Sequence, residues 1–108
     1  MNMLNSIILE GDVCSVNKAG IENRLLEFNI QVVRQYKDKD GVMVTEAPAF
    51  TIATRGTMAD FAAPKVHDGR GVRVVGRLIE SEGKVKIFAE HIEFKPEKKN
   101  KNNSKKEA

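Results

Sequence analysis

The sequence predicts one small all-β domain, a five-stranded barrel with a single short helix between its third and fourth strands. Three observations favour this fold class. In the main apolar stretches, apolar and polar residues alternate with a period of two, which sends neighbouring side chains to opposite faces of a sheet. Only one short segment suits a helix. Glycine-containing turn sequences separate the predicted strands.

The first two strands lie in the first third of the chain. The first is predicted over residues 6–13 and is interrupted at Gly11, where we expect the sharp bend common in barrel strands. The second covers residues 26–32, and its alternate residues from Leu26 onward form one apolar face. Both strands are therefore expected to bury one side only.

The third strand region and the helix follow. A charged loop over residues 36–41 ends in the turn signal Asp40-Gly41. The third strand region then covers residues 42–46 and 50–55, with an interruption near Pro48. Residues 57–63 form the helix candidate, with Thr57 as its predicted cap and Pro64 as its end.

The last two strands are predicted as a hairpin. They cover residues 71–79 and 84–94, joined by a turn over 81–83, and a slip of the apolar parity between Ala89 and Ile92 predicts a bulge. This order of strands and helix is that of the OB-fold. A β-sandwich is the structural alternative, although sandwiches commonly need about seven strands. We predict an OB-fold domain over residues 1–95 and a disordered Lys/Asn-rich basic tail over residues 96–108.

Length and composition fit one such domain. The chain has 108 residues, 41% of them apolar, which suffices for one compact core. No apolar run approaches the roughly 20 residues of a membrane span, and no export signal is visible, so we expect a soluble cytoplasmic protein without membrane contact. Cys14 has no partner for a disulfide or a metal site, and we interpret it as a small buried apolar residue.

The net charge of +3 is unevenly distributed. Residues 95–108 hold six lysines and two glutamates, a net of +4, whereas the preceding 94 residues hold 12 basic and 13 acidic groups, a net of −1. The predicted barrel is therefore not basic as a whole. Attraction to a phosphate chain must come from a local patch on the barrel, from the tail or from both.

Four basic residues mark a candidate patch on the predicted hairpin. Arg73 and Arg77 have the parity opposite to predicted core positions such as Leu78, so they lie on the outer face. Together with Lys84 and Lys86 they form a basic stripe suited to phosphate contacts. The alternative is an ordinary solvated strand face, where most lysines and arginines lie.

The aromatic residues divide between core and surface. Phe28 and Phe50 align with core-facing aliphatic residues and are predicted to be buried, whereas the direction of Phe88 stays unresolved because it lies close to the predicted bulge. Tyr36 is either a half-buried core residue or an exposed one, and its place in a charged loop favours exposure. An exposed tyrosine offers a face on which a nucleic-acid base can stack.

In order and spacing, five segments resemble the bacterial single-stranded DNA-binding proteins. The most specific is 68–78, with its Val-x-Val-x-Gly-x-Leu pattern. The others are 5–11, with an Asn-x-x-x-Leu-x-Gly pattern, 28–34, the aromatic and basic run 36–39, and 56–60, which looks like the family's helix start. The resemblance spans nearly all of residues 5–94.

This resemblance implies a homo-oligomer, a tetramer or a dimer, that binds single-stranded DNA by stacking bases on aromatic side chains. Of the family's stacking positions, Tyr36 keeps an aromatic ring, Ala49 and Gly83 have lost theirs, and Arg55 offers a guanidinium that can stack and meet a phosphate. The tail also departs from the family's, because it lacks the acidic, apolar tip that recruits replication and repair proteins.

The functional prediction is a module that binds single-stranded DNA with little sequence specificity in replication, recombination or repair, in the cytoplasm at the nucleoid. No enzyme is predicted, since neither histidine stands at a catalytic spacing, and no metal or cofactor is expected. Two alternatives remain, a protein-interaction adaptor of the replication machinery that resembles the primosomal replication protein and an RNA-binding OB domain. The predicted nucleic-acid-binding residues are Arg34, Tyr36, Lys37, Lys39, Arg55, Arg73, Arg77, Lys84 and Lys86.

Overall fold

The computed structural model describes residues 2–97, which form seven strands and one α-helix. The strands are β1 (Ile7–Asn17), β2 (Leu25–Gln31), β3 (Arg34–Lys37), β4 (Met43–Glu46), β5 (Ala49–Arg55), β6 (Gly71–Ser81) and β7 (Lys84–Phe94). The helix α1 covers Thr57–Ala62, and a single 3-10 turn at Ile21–Asn23 links β1 to β2. None of the helices in this part of the chain is long and apolar enough to cross a membrane.

Five of the strands close into a barrel in the order β1-β2-β5-β7-β6. Neighbouring strands pair antiparallel except β5 and β7, whose parallel pairing closes the ring through two residue pairs, Ile52 with Ile87 and Ala53 with Phe88. The five predicted barrel strands are thus present, with the helix between the third and the fourth. The strands β3 and β4 pair only with each other and form a separate hairpin.

Alternate residues of the barrel strands fill the core. The buried apolar side chains are Val13, Leu26, Phe28, Ile30, Ile52, Val72, Val74, Ile87, Ala89 and Ile92 from the strands, with Ala59, Ala62 and Val66 in and after α1. Burial of apolar surface at about 25 cal/mol per Å² makes this cluster the main source of stability. Thr54 is buried as well, and partly buried strand residues such as Leu9, Val16 and Phe94 pack against this cluster, while most other strand positions face outward.

Several predicted details are confirmed. The alternation along β2 is as expected, and the chain leaves the sheet near Pro48, between β4 and β5. The predicted bulge in the last strand is present, because Glu90 is the extra residue where the β6–β7 register shifts. The turn signal at Gly41 is confirmed as well, with a φ of 80° that favours glycine.

Other details were wrong. Tyr36 does not lie in a loop, because residues 34–37 pair with β4; the short strand has no buried face, so no alternation marked it. Phe50 and Leu78 are 36% and 45% exposed, because Phe50 lies next to the beginning of β5 and Leu78 lies beyond Gly76, the last residue of β6 that pairs with β1. Thr57 caps nothing through its side chain; the cap residue is Gly56.

The strand β1 also differs from the prediction. Its irregularity falls between Val13 and Ser15, so the bulge residue is Cys14, which is exposed and not buried. Gly11 stays paired with Val72, and its lack of a side chain admits the carbonyl oxygen of Gln31. Glycine serves there for close approach of two strands and not for a bend.

The domain boundaries stay a prediction. Most of the predicted tail, residues 98–108, lies outside the described residues. Its first two residues are described, and Glu97 makes an ion pair of 3.0 Å with Arg70, whose side chain also lies 5.1 Å from the ring centroid of Phe94. The chain is therefore held against the barrel as far as Glu97.

Candidate nucleic-acid interface

The β3–β4 hairpin carries an exposed aromatic residue beside cations. Tyr36 is 38% exposed, and the guanidinium carbon of Arg34, two residues earlier on the same side of β3, lies 5.5 Å from its ring centroid. The tyrosine hydroxyl donates a hydrogen bond of 3.3 Å to Glu46 on β4. This geometry holds the ring at the surface, with a cation on it, where a base can stack.

Two lysines extend this cationic group along the hairpin. Lys37 ends β3, and Lys39 lies in the turn that follows; both are exposed. Within residues 2–97, neither they nor Arg34 have a carboxylate within 4.0 Å. Asp38 lies between the lysines, but its carboxylate accepts hydrogen bonds from the amides of Asp40 and Val42 and so fixes the turn. Residues 34–46 hold three cations and three carboxylates, so the hairpin has no net charge, but Arg34, Lys37 and Lys39 are not ion-paired within residues 2–97 and can each contact a phosphate.

The outer face of β2 and β5 continues from the base of the hairpin. Its residues are small and polar at the centre, where Asn29 donates a hydrogen bond of 2.8 Å to Ser15 and accepts one of 2.7 Å from Thr51. Ala49 and Ala53 lie on either side of Thr51 along β5, and Glu27 and Gln31 lie on either side of Asn29 along β2. The centre of this face, called the floor below, thus consists of short, uncharged side chains, and the carboxylate beside it, Glu27, is paired with Lys86.

At the far end of this floor, two arginines flank an aromatic ring. Phe88 pairs with Ala53 across the parallel seam and with Arg77 across the β6–β7 ladder, so its side chain is on the outer face and is partly exposed. The guanidinium carbons of Arg77 and Arg55 lie 4.8 Å and 5.9 Å from its ring centroid. The structure thus places two of the predicted residues, Arg55 and Arg77, on the ring of Phe88, whose direction the sequence prediction had left open.

Phe88 belongs to this candidate site, although sequence reasoning did not include it. A usable signal existed, because Phe88 continues the outward parity of Lys84 and Lys86. The bulge that obscured this signal comes two residues later, at Glu90, and therefore does not change the direction of Phe88. Counting alternate residues from Lys84, at the beginning of β7, places Phe88 on the outer face, as the structure does.

Three of the four residues of the predicted basic stripe are held by carboxylates. Arg77 pairs with Glu90 at 2.7 Å, and Lys86 pairs with Glu27 at 2.5 Å with its side chain only 19% exposed. Lys84 is exposed at the beginning of β7 and has no carboxylate within 4.0 Å among residues 2–97. The stripe is on the outer face as predicted, but most of its charge is balanced locally.

Arg73 is the most strongly engaged of the four. Its guanidinium lies 2.6 Å from Glu10 and 3.4 Å from Glu93, and Lys95 approaches Glu10 at 3.4 Å. Hydrogen bonds and charge from Arg73 and then Lys95 lower the pKa of Glu10, while Glu10 and Glu93 raise the pKa of Arg73. The stability that the ionised Glu10 carboxylate contributes is therefore fully present above the ordinary carboxyl pKa. It is lost as the pH falls through the lowered pKa of Glu10 in the folded protein.

The structure thus divides the nine predicted residues into groups. Arg34, Tyr36, Lys37 and Lys39 lie on the hairpin, and Arg55, Arg77 and Lys86 surround Phe88. The two remaining residues are separate, with Lys84 at the β6–β7 turn and Arg73 in its ion-pair network on the β1–β6–β7 side of the barrel. The first two groups are joined by the floor of β2 and β5.

Comparison with solved structures identifies this fold. A small single-stranded DNA-binding protein from Streptomyces coelicolor matches with a TM-score of 0.63 and 19% identity, over 87% of this chain and 96% of that one. A Plasmodium falciparum protein of the same kind, in complex with single-stranded DNA, matches with a TM-score of 0.73 and 16% identity, over 89% and 98% of the two chains.

This chain has the fold of the single-stranded DNA-binding proteins. A Thermus aquaticus member, a deletion mutant, matches with a TM-score of 0.70 and 21% identity, over 86% of this chain and 51% of that one. No family model matches the sequence, and no curated protein matches it either. The single-stranded DNA-binding protein fold is thus kept here at 16–21% sequence identity to these three structures.

Proposed function

We propose that this chain is a binding protein, not an enzyme, that holds single-stranded DNA with little sequence specificity. The strand would run from the β3–β4 hairpin across the floor of β2 and β5. The observation that carries the proposal is the exposed Tyr36 ring beside Arg34, on a hairpin whose cations have no carboxylate partners within residues 2–97. Every base has a π-face, so stacking of this kind holds a strand without reading its sequence.

The likeness in fold supports the same proposal. The three structures compared above are named as single-stranded DNA-binding proteins, and the one from Plasmodium was solved with single-stranded DNA. We further propose a homo-oligomer, dimer or tetramer, that acts in the cytoplasm at the nucleoid in replication, recombination or repair. Sedimentation would establish the number of subunits.

Fluorescence anisotropy with a labelled oligo-dT tests the proposed binding. We expect binding at micromolar protein in low salt, with an affinity that falls as salt rises because phosphate contacts release counterions. A matched RNA strand, added as competitor, separates a DNA-binding from an RNA-binding OB domain. Absence of binding to either strand at micromolar protein would refute the proposal.

The two arginines that differ most in their surroundings should differ in their effect on binding. Arg55→Ala is expected to weaken oligo-dT binding about fivefold, because Arg55 has no carboxylate partner in the described part of the chain and can stack or meet a phosphate. Arg73→Ala is expected to change affinity less than about twofold, since Glu10 and Glu93 balance its charge. Equal losses measured by anisotropy would contradict this ranking.

The lysine-rich C-terminal residues are expected to add affinity that depends on salt. Deleting residues 98–108 removes five lysines. Each phosphate neutralised on a single strand contributes about 0.7 to the slope of log affinity against log salt, so the slope should flatten by about 1 or more. Anisotropy titrations at several salt concentrations measure it; an unchanged slope would mean that these residues do not contact DNA.

An adaptor of the replication machinery is the second candidate. The observation in its favour is the local pairing of Arg73, Arg77 and Lys86 with carboxylates, which leaves less charge for a phosphate chain. Pull-down from the native host with and without nuclease distinguishes the two functions. An adaptor keeps its partners after DNA is destroyed, whereas a DNA-binding protein loses those held through the strand.

A further inference from the structure

A groove beside Phe88 lies at the surface of the barrel. Phe88 stands between the buried residues Ile87 and Ala89 on β7, so the backbone that carries it is fixed by the core. Across the parallel seam its neighbour is Ala53, whose methyl group leaves the space beside the ring open. The groove is lined by Leu25, Glu27, Ala53, Arg55, Ile79 and Phe88, among others.

The charges around this groove leave one cation uncompensated. Lys86 is tied to Glu27, and Arg77 is tied to Glu90, so both pairs are neutral. Arg55, in contrast, has no carboxylate within 4.0 Å among residues 2–97. The groove therefore favours a ligand that combines a flat apolar ring with one negative charge, which describes a nucleotide of a single strand.

The two arginines on the ring are not equivalent. Arg77 lies closer, at 4.8 Å from the ring centroid, and Glu90 holds it at 2.7 Å. Arg55 lies at 5.9 Å, at the end of β5, and is exposed. Arg55 is thus the one that can move away from the ring at little cost.

We propose that Phe88 is a base-stacking subsite, in which one base of the bound strand lies on the ring while Arg55 turns to the adjoining phosphate. This inference rests on the proposed function. It extends that function because it adds a second aromatic contact, on β7, at the end of the floor away from the hairpin. Arg77 remains in place as the fixed cation on the ring. The subsite is sequence-tolerant because any base can stack there.

A tryptophan reporter tests the subsite, because the chain has no tryptophan of its own. In Phe88→Trp, oligo-dT is expected to quench the emission saturably, at the concentrations where anisotropy reports binding. Phe61→Trp is the matched control. Phe61 is also a half-exposed ring with a cation on it, Lys65 at 4.1 Å, but it lies on α1, away from the floor, and its emission should not change.

A second variant keeps the test independent of the reporter. Phe88→Leu keeps an apolar side chain and removes the π-face, so we expect it to stay folded by circular dichroism and to bind oligo-dT about fivefold more weakly. Wild-type affinity in a folded Phe88→Leu variant would overturn the inference.

The remaining outcomes separate the inference from the proposed function. If anisotropy reports binding while the emission of Phe88→Trp is unchanged, the subsite is refuted and the proposed function stands. If that emission changes with protein concentration and not with DNA, a second copy of the chain covers the ring, and the subsite is refuted as well. If the wild-type protein binds no strand at all, the proposed function fails and the subsite fails with it.

Discussion

Replacing Tyr36 with alanine is expected to weaken the binding of oligo-dT about tenfold, measured by fluorescence anisotropy at constant salt. Stacking of one base on an aromatic side chain contributes about 1–3 kcal/mol, and alanine removes the whole stacking face. In the wild type, the guanidinium carbon of Arg34 lies 5.5 Å from the centroid of the Tyr36 ring. The substitution removes this ring and with it the contact that positions Arg34. The loss should therefore exceed that of any single lysine on the hairpin.

Tyr36→Phe is the matched control. It keeps the ring and removes only the hydroxyl, whose hydrogen bond of 3.3 Å to Glu46 is long and exposed. We expect an affinity close to that of the wild type. Because the hairpin lies outside the barrel core, neither variant should unfold the protein, and circular dichroism verifies this. A Tyr36→Phe variant as weak as Tyr36→Ala would show that the ring does not stack.

Gly76→Ala is expected to be the most destabilising small substitution in the barrel, at about 3 kcal/mol or more. Gly76 lies on β6 where the β6–β7 register shifts, and a methyl group there would overlap the backbone carbonyl oxygen of Phe88. A backbone atom cannot rotate away as a side chain can, so the two strands must separate. Urea denaturation followed by circular dichroism measures the loss in the free energy of unfolding.

Gly71→Ala provides the control on the same strand. There the added methyl group would first meet Cδ of the Lys95 side chain at 3.2 Å, and this flexible side chain can move. We expect a change within about 0.5 kcal/mol, with a contribution in favour of alanine from the lower entropy of the unfolded chain. Equal losses for the two variants would mean that close approach at Gly76 does not matter for stability.

The sequence was sufficient for the barrel because burial on one face imposes a period of two. In β2, Leu26, Phe28 and Ile30 are all buried, and the alternation is unambiguous. The strand β3 carried no such signal, since it pairs only with β4 and buries neither face. An exposed two-stranded hairpin is specified by its turn and its cross-strand pairs, which period-two reasoning does not detect.

The candidate site was predictable only in part, for reasons of charge and register. Outward parity placed Arg73 and Arg77 on the surface, but the carboxylates that balance them come from sequence positions far away, such as Glu10. Strand parity cannot pair residues across strands whose register is unknown. The same limit hid the meeting of Arg55 with Phe88, because it depends on the parallel pairing of β5 with β7.

The two-pair seam between β5 and β7 has a further consequence for the dynamics of the barrel. Its few residue pairs make it the place where the ring should open most readily, so the amides that bond across the β5–β7 seam should exchange with solvent faster than those that bond across the β6–β7 ladder. Phe88 and Arg55 stand on opposite sides of this seam. A nucleotide that contacts both Phe88 and Arg55 would link β7 to β5. Bound DNA would then slow hydrogen exchange at this seam, which few backbone pairs hold closed in the free protein.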